Sequence, residues 1–331
     1  MLIRYWPKQT HIRFMSLRFA GAIFSMLMIA LSAFMLAERG LNFGVDFAGG
    51  TVIELAKSDT VTVPAVRAAM PINAEVNSAR GTDNREIVVV KFGEAPPDLL
   101  GEDFKSLTAE QQAERASGAT NELVVRTLSE KFGLSVEKGD FLRNDSVGPK
   151  VSKELFTNGI TALIVALAMM LVYIWFRFQW QFSVGAIAAL AHDVIITLGM
   201  FALLRIEFNL TSIAALLTII GYSMNDTVVV FDRIREDRRK YKKMPDREVI
   251  DMALNTTLSR TLLTSGTTLI SLFAIYFLGG PVLQGMSFAL IFGIFIGTYS
   301  SIFIASALVL SLGMDFTKKE VVEEVQGFTG V

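Results

Sequence analysis

Two aspartates stand where a carboxylate is costly. Asp226 lies inside the apolar run Leu210–Phe231, and Asp193 lies inside the run Phe182–Leu204. An acid at bilayer depth costs roughly 2.5–3.5 kcal/mol even on a lenient insertion scale, so such residues face a bundle interior or a wet cavity and mark ion or proton paths. Tyr222, Ser223, Asn225 and Asp226 are clustered, and Tyr222 precedes Asp226 by four residues, on the same helix face. Burial favours the neutral acid and a nearby cation favours the carboxylate. A group held between the two can load and unload a proton as the chain changes shape.

The cation is Arg260, at the mouth of the next apolar run. Asp226 lies seven residues inside Arg233, roughly 10 Å along a helix, and a long arginine stem can snorkel over several ångströms. Arg260, Thr264, Thr267 and Ser271 share one helix face, a stripe suited to lining a hydrated path. His192, Asp193 and Thr197 form a second polar group. Asp193 can belong to the proton path, or it can make an interhelical hydrogen bond, worth about 0.6 kcal/mol on average. Histidine is the side chain suited to moving protons near neutral pH, so His192 can take part in the path, or it is a packed bundle residue.

Composition removes other chemistries. The chain has 331 residues and no cysteine, so disulfides, thiol catalysis and cysteine metal sites are excluded. His11 and His192 are the two histidines, which excludes a multi-histidine metal site. No GxxxxGK[ST] phosphate loop occurs. The expectation is a protein that is not an enzyme and holds no cofactor or metal. Its work draws on a partner or on a proton gradient. One charge crossing about 100 mV releases about 2.3 kcal/mol.

The elements that position these residues are membrane helices. Hydrophobic residues make up 52% and charged residues 19% of the chain, with a mean hydropathy of +0.46. Six apolar runs are near the ~20 residues a span needs: Phe19–Ala37, Asn158–Phe176, Phe182–Leu204, Leu210–Phe231, Thr261–Leu278 and Gly285–Gly313. The first reads as an uncleaved anchor, because Ala37-Glu38-Arg39 is a poor cleavage site. Basic residues crowd the N-terminus, the segment Arg233–Arg247 and the tail at Lys318 and Lys319. By the positive-inside rule both termini are cytoplasmic. The net charge is −1, with the charges segregated, and no nucleic-acid partner is expected.

The organisation expected is a cytoplasmic N-terminus at 1–18, a first span at 19–37, and a domain at 38–155 outside the membrane. Spans two to six follow at 156–313, and the tail at 314–331 is cytoplasmic. The outer domain has strand-like pieces at Thr51–Leu55, Ile87–Phe92 and Leu134–Val136. Helical pieces fit Val63–Met70 and Thr120–Phe132. That order suggests a periplasmic α+β domain of ferredoxin-like type, with an inserted, mobile segment at Glu94–Gly118. The cytoplasmic segment 233–260 reads as an amphipathic interfacial helix or a docking surface. Gly293 and Gly297 make a GxxxG packing step. The tract Gly49-Gly50-Thr51 could cradle an anion.

Four ordered segments together resemble one family. They are Gly44-Val45-Asp46-Phe47-Ala48-Gly49-Gly50-Thr51, Ala191-His192-Asp193-Val194-Ile195-Ile196-Thr197, the stretch 221–236 beginning Gly221-Tyr222-Ser223-Met224-Asn225-Asp226, and Arg260-Thr261-Leu262-Leu263-Thr264-Ser265-Gly266-Thr267-Thr268. They are similar to the SecD/SecF protein-export membrane family of the bacterial Sec machinery, on its SecF side, within the resistance-nodulation-division superfamily. The resemblance implies six spans as one half of a twelve-span assembly in the bacterial inner membrane. It implies SecD as obligate partner, the SecYEG translocon, exported preproteins, and YajC and YidC as further neighbours. It implies that the proton-motive force assists late steps of translocation, after the SecA motor. Asp226 and Arg260 match the family's proton-pathway positions, and Asp193 a further intramembrane polar position. Two other readings compete: a proton-coupled exporter of small molecules or lipids, and a scaffold that only stabilises the translocon.

Overall fold

The computed structural model describes residues 10–80, 85–135, 139–279 and 281–314. Six helices in it are long and apolar enough to cross a membrane, and the protein is a multi-pass membrane protein. The first, α1, is Arg18–Arg39. A two-residue strand β1 (Asn42–Phe43) and a single helical turn α2 (Val45–Ala48) lead into a sheet domain. That domain holds β2 (Gly50–Ala56), α3 (Val63–Ala69), β3 (Ala74–Arg80), β4 (Glu86–Phe92), the short α4 (Glu102–Lys105), α5 (Ala109–Phe132) and β5 (Phe141–Val147). The chain returns through α6 (Pro149–Arg177) and α7 (Trp180–Leu204), then strand β6 (Glu207–Phe208). α8 (Leu210–Lys240) and α9 (Asp246–Leu278) follow. The last rod is α10 (Pro281–Ser300), a π-helical turn Ser301–Ala305, and α11 (Ser306–Leu312).

α7, α8 and the last rod form the interior of the bundle, and α1, α6 and α9 are far more exposed. Small residues let the interior helices close. A Cβ added at Gly293 would sit 2.4 Å from Ile219 on α8, and one at Gly297 would sit 3.0 Å from Ser223. The GxxxG step therefore packs against α8. Gly199 of α7 lies against Ser32 of α1, and Gly21 of α1 lies against Phe303.

α8 and α9 run past the membrane. Their 31 and 33 residues correspond to about 45–50 Å of helix, against a hydrocarbon core of about 30 Å. The basic segment after Phe231 is thus the end of α8 and the start of α9, not a separate interfacial helix. The turn between them is tied by Arg238, which pairs with Asp246 at 3.1 Å and donates to the carbonyls of Lys242 and Met244 at 3.1 Å each. The apolar face of this part of α9, Val249, Ile250, Ala253 and Leu254, is buried in the bundle core. The N-terminal segment docks on it: the Met15 amide donates to Asp251 at 2.8 Å, and the Ile12 amide donates to Asn255 at 2.9 Å.

The sheet is antiparallel, in the order β3-β4-β2-β5. Its core is Ile53, Leu55, Val88, Val90 and Phe92 from the central strands, packed on Val66 of α3 and on Val124 and Leu128 of α5. Two strands depart from the expectation. β3 was not anticipated, and the third strand lies at Phe141–Val147. Leu134 and Ser135 are not in a strand, and Val136 falls outside the described residues. Both misplaced strands are sheet edges with polar sequences, AEVNSAR and FLRNDSV. An edge strand buries little, so the apolar alternation that reveals a strand is absent. The segment 94–118 expected as mobile holds the turn Pro97–Leu99, α4 and the start of α5, which is capped by Thr108 and Gln111.

The sheet domain is joined to the bundle by the chain around α2. β1 pairs in parallel with β6. The Asp46 carboxylate accepts the Leu210 amide at 3.1 Å, at the first turn of α8. Ser152 of α6 donates to the Val45 carbonyl at 3.2 Å, and Lys91 of β4 pairs with Glu207 of β6 at 3.1 Å. Phe43, Phe47, Phe156 and Phe208 pack edge to face or tilted beneath these bonds. Gly49 and Gly50 have φ of +74° and +109°, and a Cβ at Gly50 would meet the Phe92 carbonyl at 2.6 Å. The glycine pair turns α2 directly into β2.

The tight α8–α10 contact predicts an asymmetric response to the same substitution. Gly293→Ala should lower stability by about 1–3 kcal/mol through overpacking. Gly221→Ala, with open space around it, should be neutral or raise stability by up to about 1 kcal/mol. Thermal unfolding of both variants in detergent checks this.

Candidate functional site

Asp226 faces the bundle interior from α8 and is 9% exposed. Thr261 of α9 donates its hydroxyl to Asp226 Oδ1 at 2.6 Å. Oδ2 is buried and lacks a hydrogen bond of good geometry among the described residues, although the Ser301 hydroxyl lies near enough to act on the carboxyl. One residue further on, Thr227 meets Ser301 at 2.9 Å, and Ser301 donates to the Gly297 carbonyl at 3.0 Å. Arg260 is close enough for its charge to act on Asp226, but no ion pair within 4 Å joins them among the described residues. The acid thus has one bonded oxygen and one without a well-formed bond, beside a cation that does not neutralise it directly.

Asp193 is its opposite. It is fully buried on α7. Oδ2 accepts from Ser223 of α8 at 2.5 Å and from Ser300 of α10 at 2.8 Å. Oδ1 meets His192 Nδ1 at 2.9 Å. Beyond the histidine, Nε2 meets Ser25 of α1 at 3.1 Å, and Ser25 meets the Tyr299 hydroxyl at 2.9 Å. Four helices converge on this one carboxyl. Ser223 and Asp226 are a helical turn apart on α8, and Ser300 and Ser301 are adjacent, so the two acids flank the same stretch of the bundle. The π-helical turn begins there. Such widened turns occur inside helices mostly at functional positions.

The other expected residues divide. Tyr222 donates to Ser265 of α9 at 3.1 Å, and Ser265 meets Thr298 of α10 at 3.1 Å. Asn225 is exposed. Thr264, Thr267 and Ser271 are also exposed, and their hydroxyls bond to carbonyls of their own helix. Thr197 bonds back to the Asp193 carbonyl at 2.7 Å. The polar stripe that begins at Arg260 therefore turns outward. The inward face of α9 is Thr261 and Ser265, which carry the contacts to Asp226 and Tyr222. Thr261, Ser300, Ser301, Ser25 and Tyr299 were not singled out in the sequence. Their common signal is a hydroxyl inside an apolar run, and serine or threonine there is too frequent to select without knowing the helix rotation.

A cavity of about 380 Å³ opens where the bundle meets the sheet, lined among others by Arg143, Glu207, Asn209, Tyr276 and Gln284. It is remote from both acids along the helices. No cluster of potential metal ligands occurs among the described residues.

The geometry separates two threonines three residues apart. Thr261→Val should cost about 1–3 kcal/mol, because it strips the donor from a buried acid. Thr264→Val should stay within about 0.5 kcal/mol, as expected for an exposed site with a local bond. Equilibrium unfolding of the two variants provides the comparison.

Comparison with known proteins agrees with this architecture. Residues 108–315 match the family model described as protein export membrane protein SecD/SecF, C-terminal, and residues 34–56 match the SecD/SecF GG motif. The chain is 41% identical over 313 residues to protein translocase subunit SecF of Cereibacter sphaeroides, covering 95% of this chain and 93% of that one. It is 42% identical over 293 residues to the SecF of Vibrio alginolyticus, covering 88% and 87%. It is 38% identical to protein translocase subunit SecDF of Brucella abortus, covering 93% of this chain and 38% of that one. Among solved structures, SecDF from Thermus thermophilus, titled a translocon-associated membrane protein, superposes with a TM-score of 0.73 at 36% identity, over 93% of this chain and 39% of that chain. With its six spans, its glycine-pair turn and its buried acids in the matched regions, the chain belongs to the SecD/SecF family of protein-export membrane proteins, on the SecF side.

Proposed function

We propose that the chain is an accessory subunit of Sec protein translocation that couples proton movement at Asp226 to motion of its sheet domain. In this reading it sits in the bacterial inner membrane with both termini cytoplasmic. The sheet domain, a ferredoxin-like α+β unit, is then periplasmic and acts on preproteins leaving SecYEG. The carrying observation is the unpartnered, buried Oδ2 of Asp226 beside a bonded Oδ1. A buried carboxyl oxygen left open in this way offers a place for a proton, and Arg260 stands near enough for its charge to bear on the group.

Arg260 itself is exposed on a membrane helix. A cation there needs a protein or water neighbour. A SecD-type half placed against α9 supplies one. Fused SecDF relatives are more than twice as long as this chain, which supports a separate SecD as obligate partner. SecYEG, YajC and YidC complete the proposed surroundings. Movement reaches the sheet through α8, whose first turn is held by Asp46, three residues before Gly49, where the chain turns into β2. The energy is of the order of 2.3 kcal/mol per charge per 100 mV.

Asp226→Asn keeps the volume and much of the hydrogen bonding but cannot cycle a proton. Export of a preprotein into vesicles holding the full complex should lose its gradient-dependent part, while co-purification with the SecD partner is retained. Full gradient dependence in the variant would remove Asp226 from the coupling and leave a scaffold role.

A further inference from the structure

The hydrogen bonds around His192 admit few arrangements of hydrogens. A phenol has one hydrogen to give. Tyr299 gives it to the Gly21 carbonyl at 2.7 Å, and a carbonyl can only accept. The 2.9 Å contact between Ser25 and Tyr299 must then run from the serine to the tyrosine oxygen. Ser25 has no second hydrogen, so at 3.1 Å it accepts from His192, and Nε2 carries an N–H. The other ring nitrogen, Nδ1, meets Asp193 Oδ1 at 2.9 Å. A neutral imidazole has a single hydrogen, and it is already on Nε2. The Nδ1–Oδ1 contact therefore needs one more proton. With it, and with Ser300 giving its hydrogen to Oδ2 at 2.8 Å rather than to the Gly297 carbonyl at 3.1 Å, the pair is either imidazolium with carboxylate or imidazole with carboxylic acid, and the net charge is zero in both. Without it, two lone pairs face each other where the side chains are 3% and 0% exposed.

We infer that Ser25 and Tyr299 hold His192 and Asp193 as a pair that shares one proton between Nδ1 and Oδ1 while Nε2 keeps its own, and that the pair keeps the shared proton for as long as α1 remains docked against Tyr299. Ser25 and Tyr299 are positioning residues: they set the hydrogen on Nε2 and, through the ring, the hydrogen at Asp193. The arrangement also lowers the cost of burying Asp193, since the pair as a whole is neutral. Few ionisable groups face it. On α7 it has none besides its own two members, and α1 carries Arg18, Glu38 and Arg39 at its ends. α8 offers Asp226, a turn beyond Ser223, and α10 offers Tyr299. This inference does not depend on Asp226 being the coupling group.

The full-length chain in lipid nanodiscs, labelled with [15N]histidine and carrying His11→Gln, has His192 as its one labelled ring. Its 15N signals should show Nε2 protonated and unchanged over about pH 5 to 8, the range in which a free imidazole titrates. Tyr299→Phe keeps the ring but removes the oxygen that takes the serine hydrogen. Ser25 can then donate to Nε2, and the Nδ1–H tautomer facing an ionised Asp193 becomes available. Nε2 should lose its hydrogen toward the alkaline end in this variant. Ser25→Ala removes the same constraint from the α1 side and should give the same loss, so the question stays answerable if one variant folds poorly. A bare Nε2 in the unsubstituted ring, or spectra from both variants that match it, would overturn the inference.

Discussion

Asp193 receives a hydroxyl from α8 and another from α10 while its second oxygen meets a histidine wired to α1. That junction expresses the constraint under which the bundle is built. Within a bilayer core no water is on hand to satisfy a stray polar group, so each has to find its partner inside the protein. Serine answers two needs at once. It is small enough to let helices approach, as at Ser223 beneath Gly297, and it brings a donor to that close contact. The tight packing of α7, α8 and α10 and the saturation of Asp193 are consequences of the same small residues.

Seen against that junction, Asp226 is the exception. It lies one helical turn away on α8, yet it leaves a buried oxygen without a well-formed bond and draws its one short donor bond from Thr261 of α9, an exposed helix, with the Ser301 hydroxyl nearby. Asp193 is bonded from α8 and α10 and, through His192, from α1, whereas the one short bond to Asp226 comes from a peripheral helix. Among the described residues no hydrogen bond to Asp193 comes from α9. The π-helical turn Ser301–Ala305 follows Ser300, which bonds Asp193, and begins at Ser301, which bonds Thr227 beside Asp226.

The glycine-pair segment explains how a change at either acid could leave the membrane. It holds the bundle through Asp46, Val45 and the β1–β6 pairing, and it enters the sheet through two residues with positive φ. No flexible linker separates α8 from β2. The anion-cradle reading of these glycines gives way to a mechanical one, because the close approach of Gly50 to the Phe92 carbonyl leaves room only for backbone.

Much of this was legible in the residues themselves. Six apolar runs, two acids within them and the basic loops are statements about composition along the chain, and helix length follows from them. The GxxxG step was legible as a packing feature, though not its partner. The sheet was legible only where it is buried: β2 and β4 are rich in Val and Ile, whereas the edge strands β3 and β5 read as polar loop. The site was half legible. A helical period tells which residues share a face, so Arg260, Thr264, Thr267 and Ser271 could be grouped from spacing alone. It does not tell where that face points. Packing of α9 against α8 and α10 sets the rotation about the helix axis, and it turns Thr261 and Ser265 inward and that stripe outward. The sequence by itself determined that acids are buried in a membrane bundle; the tertiary structure decided which hydroxyls reach them, because donors on different helices meet only when the rotations of all those helices are fixed together.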